Sequence, residues 1–95
     1  VNVHLSPRIE PDLEVIAEYI ADHNPTRAVS FVNEIRREFS RIGQAPLHYR
    51  ARADLGKDIR MAVFGQYVIL FRVIGDVVSI RRVVHGARDL KNLKR

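Results

Sequence analysis

A chain of 95 residues with no cysteine has room for one domain, residues 1–95, around a single small core, with neither a disulfide framework nor a thiolate metal site to staple it. Its net charge of +5 is uneven, −2 over residues 1–47 and +7 over residues 48–95, and the basic half points to an anionic partner, either nucleic acid or an acidic protein segment. No apolar run reaches the ~20 residues of a membrane span, and the first residues lack the basic and apolar regions of a signal peptide, so a cytoplasmic protein with no membrane partner is expected.

In chain order, residues 2–5 read as a first strand that joins the edge of a sheet, with Val3 and Leu5 on one side. Ser6-Pro7 follows as an N-cap with proline at the first helical position. Ile9, Leu13, Ile16, Ala17 and Ile20 then recur at helical spacing, with Glu10, Asp12, Glu14 and Glu18 on the opposite side. Pro11 lies inside that pattern and predicts a distorted first turn or a later start. His23-Asn24-Pro25 breaks this helix and begins the next, with Asn24 as its cap. Ala28, Phe31, Val32, Ile35, Phe39 and Ile42 form a second stripe, and Gly43 is placed to end it as a C′ glycine. Two helices with so short a turn form an antiparallel hairpin able to cover one face of a sheet.

Residues 44–57 contain Pro46 and Gly56 and no sustained period, so they read as a basic connecting loop. Three β-branched and aromatic runs follow at 59–64, 67–74 and 77–85, separated by Gly65-Gln66 and Gly75-Asp76, each a Gly-X pair suited to a two-residue type II′ turn. This predicts a three-stranded antiparallel meander with Phe64 opposite Tyr67 and Ile74 opposite Val77. Strict alternation then places Arg60, Ala62, Phe64, Tyr67, Ile69, Phe71, Val73, Val78, Ile80, Arg82 and Val84 on one face. The other face takes Ile59, Met61, Val63, Val68, Leu70, Arg72, Ile74, Val77, Ser79, Arg81, Val83 and His85. Both faces are largely apolar, so each needs a cover, and the helix hairpin supplies only one. Gly86 ends the last strand, and residues 87–94 form a short basic helix or a flexible tail.

The fold class expected is therefore α+β, with an N-terminal strand and an antiparallel helix hairpin packed on a three- to four-stranded antiparallel sheet. Arginines 60, 72, 81 and 82 on otherwise apolar strands need partners or a wet edge, with Asp12 and Asp89 as available carboxylates. Tyr19, Tyr49 and Tyr67 read as packing residues. His85 either ends its strand by bonding the turn that follows or, with cationic neighbours Arg81 and Arg88 lowering its pKa, serves as a base. The four histidines lack ligand spacing and no glycine-rich phosphate loop or nucleophile elbow occurs, so no metal, cofactor or covalent catalysis is expected.

The order strand, helix, helix, meander, with the Ser6-Pro7 start, the Asn24-Pro25 break, the strand from Gly65 to Val73 and the closing Val83-Val84-His85-Gly86-Ala87-Arg88-Asp89, resembles the RelE/ParE superfamily of bacterial type II toxins, and its ParE-like branch in particular. The resemblance implies a small toxin neutralised in a hetero-oligomer by a cognate antitoxin that covers the second sheet face. In the RelE-like branch it implies a ribosome-dependent mRNA endonuclease, with His85 and Arg81 as the catalytic candidates. That branch typically carries an arginine where Val68 stands and a tyrosine or histidine after the last strand, and no aromatic residue follows Phe71 here. The ParE-like branch implies inhibition of DNA gyrase by binding, with no catalytic residues. Arg60, Arg72, Arg81, Arg82, His85 and Arg88 are the residues expected to contact the antitoxin or the target.

Overall fold

In the computed structural model, which describes residues 2–93, five strands and three helices form an α+β fold. Strand β1 (Asn2–Leu5) leads into α1 (Ile9–Ala21) and α2 (Pro25–Gln44). After a two-residue β2 (Arg50–Ala51) come β3 (Ile59–Phe64), β4 (Tyr67–Ile74) and β5 (Val77–His85), then a single turn of helix, α3 (Gly86–Asp89). A 3-10 turn, Leu90–Leu93, follows it, and Lys94, where the expected terminal helix ended, lies outside the described residues.

The sheet has the order β1-β5-β4-β3-β2, parallel between β1 and β5 and antiparallel elsewhere. Its five strands exceed the three or four expected, because β2 arises inside the supposed loop between the 3-10 turns Pro46–His48 and Ala53–Leu55. Pairing with β3, Arg50 opposite Met61 and Ala51 opposite Arg60, is what makes those two residues a strand. Both meander turns have the expected register, and Gly65 and Gly75 take the positive φ, +60° each, that a type II′ turn requires at its first position.

The hairpin helices start for different reasons. Asn24 accepts from the Arg27 amide at 3.0 Å and caps α2 as expected. Ser6 caps the turn that leads into α1 rather than the regular helix itself: its hydroxyl accepts from the Arg8 amide at 3.3 Å and donates to the Arg81 carbonyl at 2.8 Å, while the regular helix begins at Ile9 with Arg8 at the N-cap and no side-chain acceptor. Pro11 is accommodated in the first turn, where an amide has no intrahelical acceptor to lose. Gly43 is not a C′ residue, since α2 continues to Gln44; it is buried against β1, and a Cβ there would collide with the Val3 side chain. Close approach of helix and edge strand, rather than helix termination, calls for glycine at this position.

The core lies between the hairpin and one face of the sheet. Ile9, Leu13, Ile16, Phe31, Ile35, Phe39 and Ile42 meet Ala62, Tyr67, Ile69, Phe71, Val78, Ile80 and Val83. The last of these reflects a break in alternation: Leu70 opposes Arg82 but Phe71 opposes Ile80, so Arg81 is the extra residue of a β-bulge. Beyond it Val83 and His85 turn to the helix face while Arg82 and Val84 leave it, the reverse of the placement expected from uninterrupted alternation.

The second face is not left bare. Ile59, Val68, Leu70 and Val84 are each at most 7% exposed. Leu55 and Leu93 border the same cavity as Ile59 and Leu70, and Gly86 lies against Val68. The chain's own loop and C-terminal turn thus supply part of the cover assigned to an antitoxin, leaving Val63 and Ile74 as its exposed large apolar side chains. Among the described residues no helix is long and apolar enough to cross a membrane.

Candidate functional site

The polar surface centres on the bulge in β5. β1 ends just below it, with the Ser6 amide donating to the Ile80 carbonyl at 2.9 Å, so the next β5 groups have no strand to pair with. α1 fills the gap. Asp12, facing β5 from the first turn of α1, accepts from Arg82 Nε at 2.8 Å, from Arg82 Nη2 at 3.1 Å and from the Val83 amide at 3.0 Å. This largely buried carboxylate takes up Arg82's charge and a strand amide together.

Arg81 differs from its neighbour. The bulge exposes its side chain, and its guanidinium has no hydrogen-bond or ion-pair partner among the described residues. Arg8, also exposed and without a side-chain partner among the described residues, borders the same concavity of about 560 Å³, whose apolar walls include Leu55, Ile59, Leu70 and Leu93.

A second concavity of about 320 Å³ lies round the end of α1 and is bordered by Arg8, Asp12, Tyr67, Arg82, His85, Arg88 and Asp89. His85 caps α3, its Nδ1 accepting from the Arg88 amide at 3.1 Å, and its ring meets Tyr67 edge-on with centroids 5.4 Å apart. That bond engages the lone pair that a base working through Nδ1 needs. Arg88 bonds Asp89 at 3.2 Å, and this contact chiefly holds the Asp89 carboxyl below the ordinary aspartate pKa. Burial is the main cause of a raised phenol pKa at Tyr67. Tyr19 is exposed rather than packed, with the Arg88 guanidinium 6.0 Å from its ring centre, whereas Tyr67 is buried and Tyr49 packs edge-on against Phe71.

The remaining candidates lie apart. Arg60 Nη1 donates to the Tyr49 carbonyl at 2.7 Å and fastens the loop before β2 to β3. Arg72 Nε donates to the Lys57 carbonyl at 3.0 Å. Of the six residues expected at the site, Arg81 and Arg82 share the first concavity, and Arg82, His85 and Arg88 share the second. Arg8 was missed by sequence reasoning, as were Leu55 and Leu93. The signal for Arg8 lay in its position directly after Ser6-Pro7, but nothing local indicates that this corner abuts the bulge. Among the described residues no three His, Asp or Glu side chains converge as metal ligands do. The arrangement suits the holding of carboxylate or phosphate oxygens by guanidinium groups beside apolar surface.

Comparison with curated proteins gives no match. A solved chain described as the chromosomal ParDE TA system from P. aeruginosa superposes with a TM-score of 0.77, covering 90% of this chain and 95% of that one at 19% sequence identity, which establishes a shared fold. The family profile described as ParE toxin of type II toxin-antitoxin system, parDE, matches residues 3–90. With nearly the whole chain inside that profile and the bulged sheet, helix hairpin and His85-capped turn in place, the chain belongs to the ParE toxin family of type II toxin-antitoxin systems.

Proposed function

We propose that this chain is a single-domain cytoplasmic toxin that inhibits DNA gyrase by binding it and is held inactive in a hetero-oligomer with a cognate antitoxin. The observation that carries the binding reading over a catalytic one is the engagement of His85. The imidazole that would serve as general base caps α3 through Nδ1 and packs on Tyr67. Val68, where a nuclease of the superfamily would place an arginine, is 5% exposed and carries no charge. The basic half of the chain complements an acidic antitoxin, and Arg81, Arg88 and the exposed part of the sheet offer it a contact surface. In a supercoiling assay, purified protein in excess over gyrase is expected to trap cleaved DNA, and supercoiling that proceeds unaltered would refute the target.

One feature favours the second reading, an mRNA endonuclease acting on the ribosome: His85, Arg82 and Arg88 border one concavity. In a translating extract that reading requires mRNA cleavage that disappears in His85→Ala.

A further inference from the structure

Arg8 and Arg81 have no side-chain hydrogen bond or ion pair among the described residues, whereas several other arginines are engaged. Arg82 is held by Asp12, Arg88 by Asp89 and Arg52 by Asp54. The two guanidinium groups, without a partner among the described residues, would be unremarkable on a flat polar surface, where water suffices. They stand instead at a concavity of about 560 Å³ whose walls include Leu55, Ile59, Leu70 and Leu93. Charge and apolar surface are thus presented side by side.

We infer that this cleft beside the bulge is a docking subsite for an acidic, aliphatic stretch of a partner protein, with a carboxylate held by Arg8 and Arg81 and a branched side chain against the leucine and isoleucine walls. The inference rests on the partner-binding reading above and specifies where, and by what chemistry, the partner chain engages. Nucleic acid fits less well: a phosphate backbone satisfies the arginines but brings nothing to lie on the aliphatic wall. A peptide whose carboxylates alternate with leucine or isoleucine satisfies both, and the charge of +7 over residues 48–95 favours its approach.

The test titrates the full chain with short labelled peptides, following anisotropy and amide chemical shifts. A Glu/Leu alternating peptide is the probe. Glu/Ser and Lys/Leu peptides and an oligothymidylate of matched charge are the controls. Binding of the Glu/Leu peptide is expected to exceed that of each control, to shift residues around Leu55, Leu70 and Leu93, and to weaken about tenfold in Arg81→Glu and further in Arg8→Glu/Arg81→Glu. Both side chains are exposed and have no partner among the described residues, so the variants keep their fold, which the unchanged thermal midpoint verifies. Equal binding of Glu/Ser or oligothymidylate, or affinity indifferent to both charge reversals, overturns the inference. Antitoxin capture separates the two levels. If the doubly reversed variant captures the cognate antitoxin as well as the parent chain does, this subsite is wrong while antitoxin neutralisation stands. If the parent chain captures none, neutralisation falls, and the peptide titration alone judges the cleft.

Discussion

Asp12 and Arg82, 70 positions apart in sequence, form a two-pronged pair at 2.8 and 3.1 Å that closes the gap between the first helix and the last strand. The same carboxylate accepts from the Val83 amide, so a substitution removes three bonds and leaves a half-buried cation and a strand donor unsatisfied. Asp12→Ala is expected to lower unfolding free energy by about 2–4 kcal/mol, read as a shift of the urea midpoint with unchanged slope. Asp12→Asn retains an acceptor and should lose less.

Adjacent arginines on β5 should behave oppositely. Arg82→Ala breaks the Asp12 pair and should destabilise by about 1.5–3 kcal/mol. Arg81→Ala, at the exposed bulge position, should change stability by less than about 0.5 kcal/mol and act only on partner affinity. Thermal melts of the two variants side by side check this contrast.

Gly43→Ala tests the helix and strand contact. Alanine improves helix propensity by about 1 kcal/mol, but its Cβ meets the stiff side chain of Val3, and overpacking of this sort costs about 1–3 kcal/mol. A net loss is expected, and Gly43→Ala/Val3→Ala should recover much of it. If Gly43→Ala alone raises the melting temperature, β1 yields more readily than its pairing with β5 indicates.

The two helices are joined on their outer side by Glu10 and Arg36 at 2.8 Å, and the Arg36 hydrogen bond is the main cause of a lowered Glu10 pKa. A carboxylate whose folded pKa lies below its unfolded one stabilises the fold above the unfolded value, and loses that contribution as pH falls through the folded value. The ion pair should therefore weaken below the ordinary glutamate value of 4.5. Glu10 is 61% exposed, so solvent screening limits the effect to a few tenths of a kcal/mol. Comparing Glu10→Gln with the parent chain from about pH 6 to about pH 3 should show a slightly flatter stability profile for the variant.

His85→Ala removes the α3 cap and the edge contact with Tyr67, and a loss of about 1 kcal/mol is expected in thermal unfolding. His85→Asn preserves a short acceptor at the cap and should recover part of it. If the chain acts on gyrase as proposed, neither change should abolish the inhibition, since binding gives the imidazole no chemical step.

The hairpin of helices and the register of both meander turns were readable because each rests on local chemistry: the Asn24-Pro25 start, the 3.6-residue stripes and glycine at the first turn position. The bulge was silent for a physical reason. Val83 and Val84 are both apolar, as are Val77 and Val78, so slipping one position leaves the hydrophobic pattern equally good in either phase. β2 could not be read because two residues carry no period; pairing with β3 and the Arg60 bond to the Tyr49 carbonyl hold that segment. Asp12 was legible as a carboxylate available to a strand arginine, and Arg82 takes it. Its bond to the Val83 amide was not, because that depends on where a strand far along the chain runs short of a neighbour.

The insertion of β5 between β1 and β4 also governs the order in which the protein can assemble during synthesis. A growing polypeptide can make the helix pair early and zip β3 to β4, but β1 has no place to dock until residues 77–85 have been translated. Messages cut short before that point therefore yield chains lacking both the strand that joins β1 to the meander and the bulge, so a prematurely terminated product is not a smaller version of the fold but an open one.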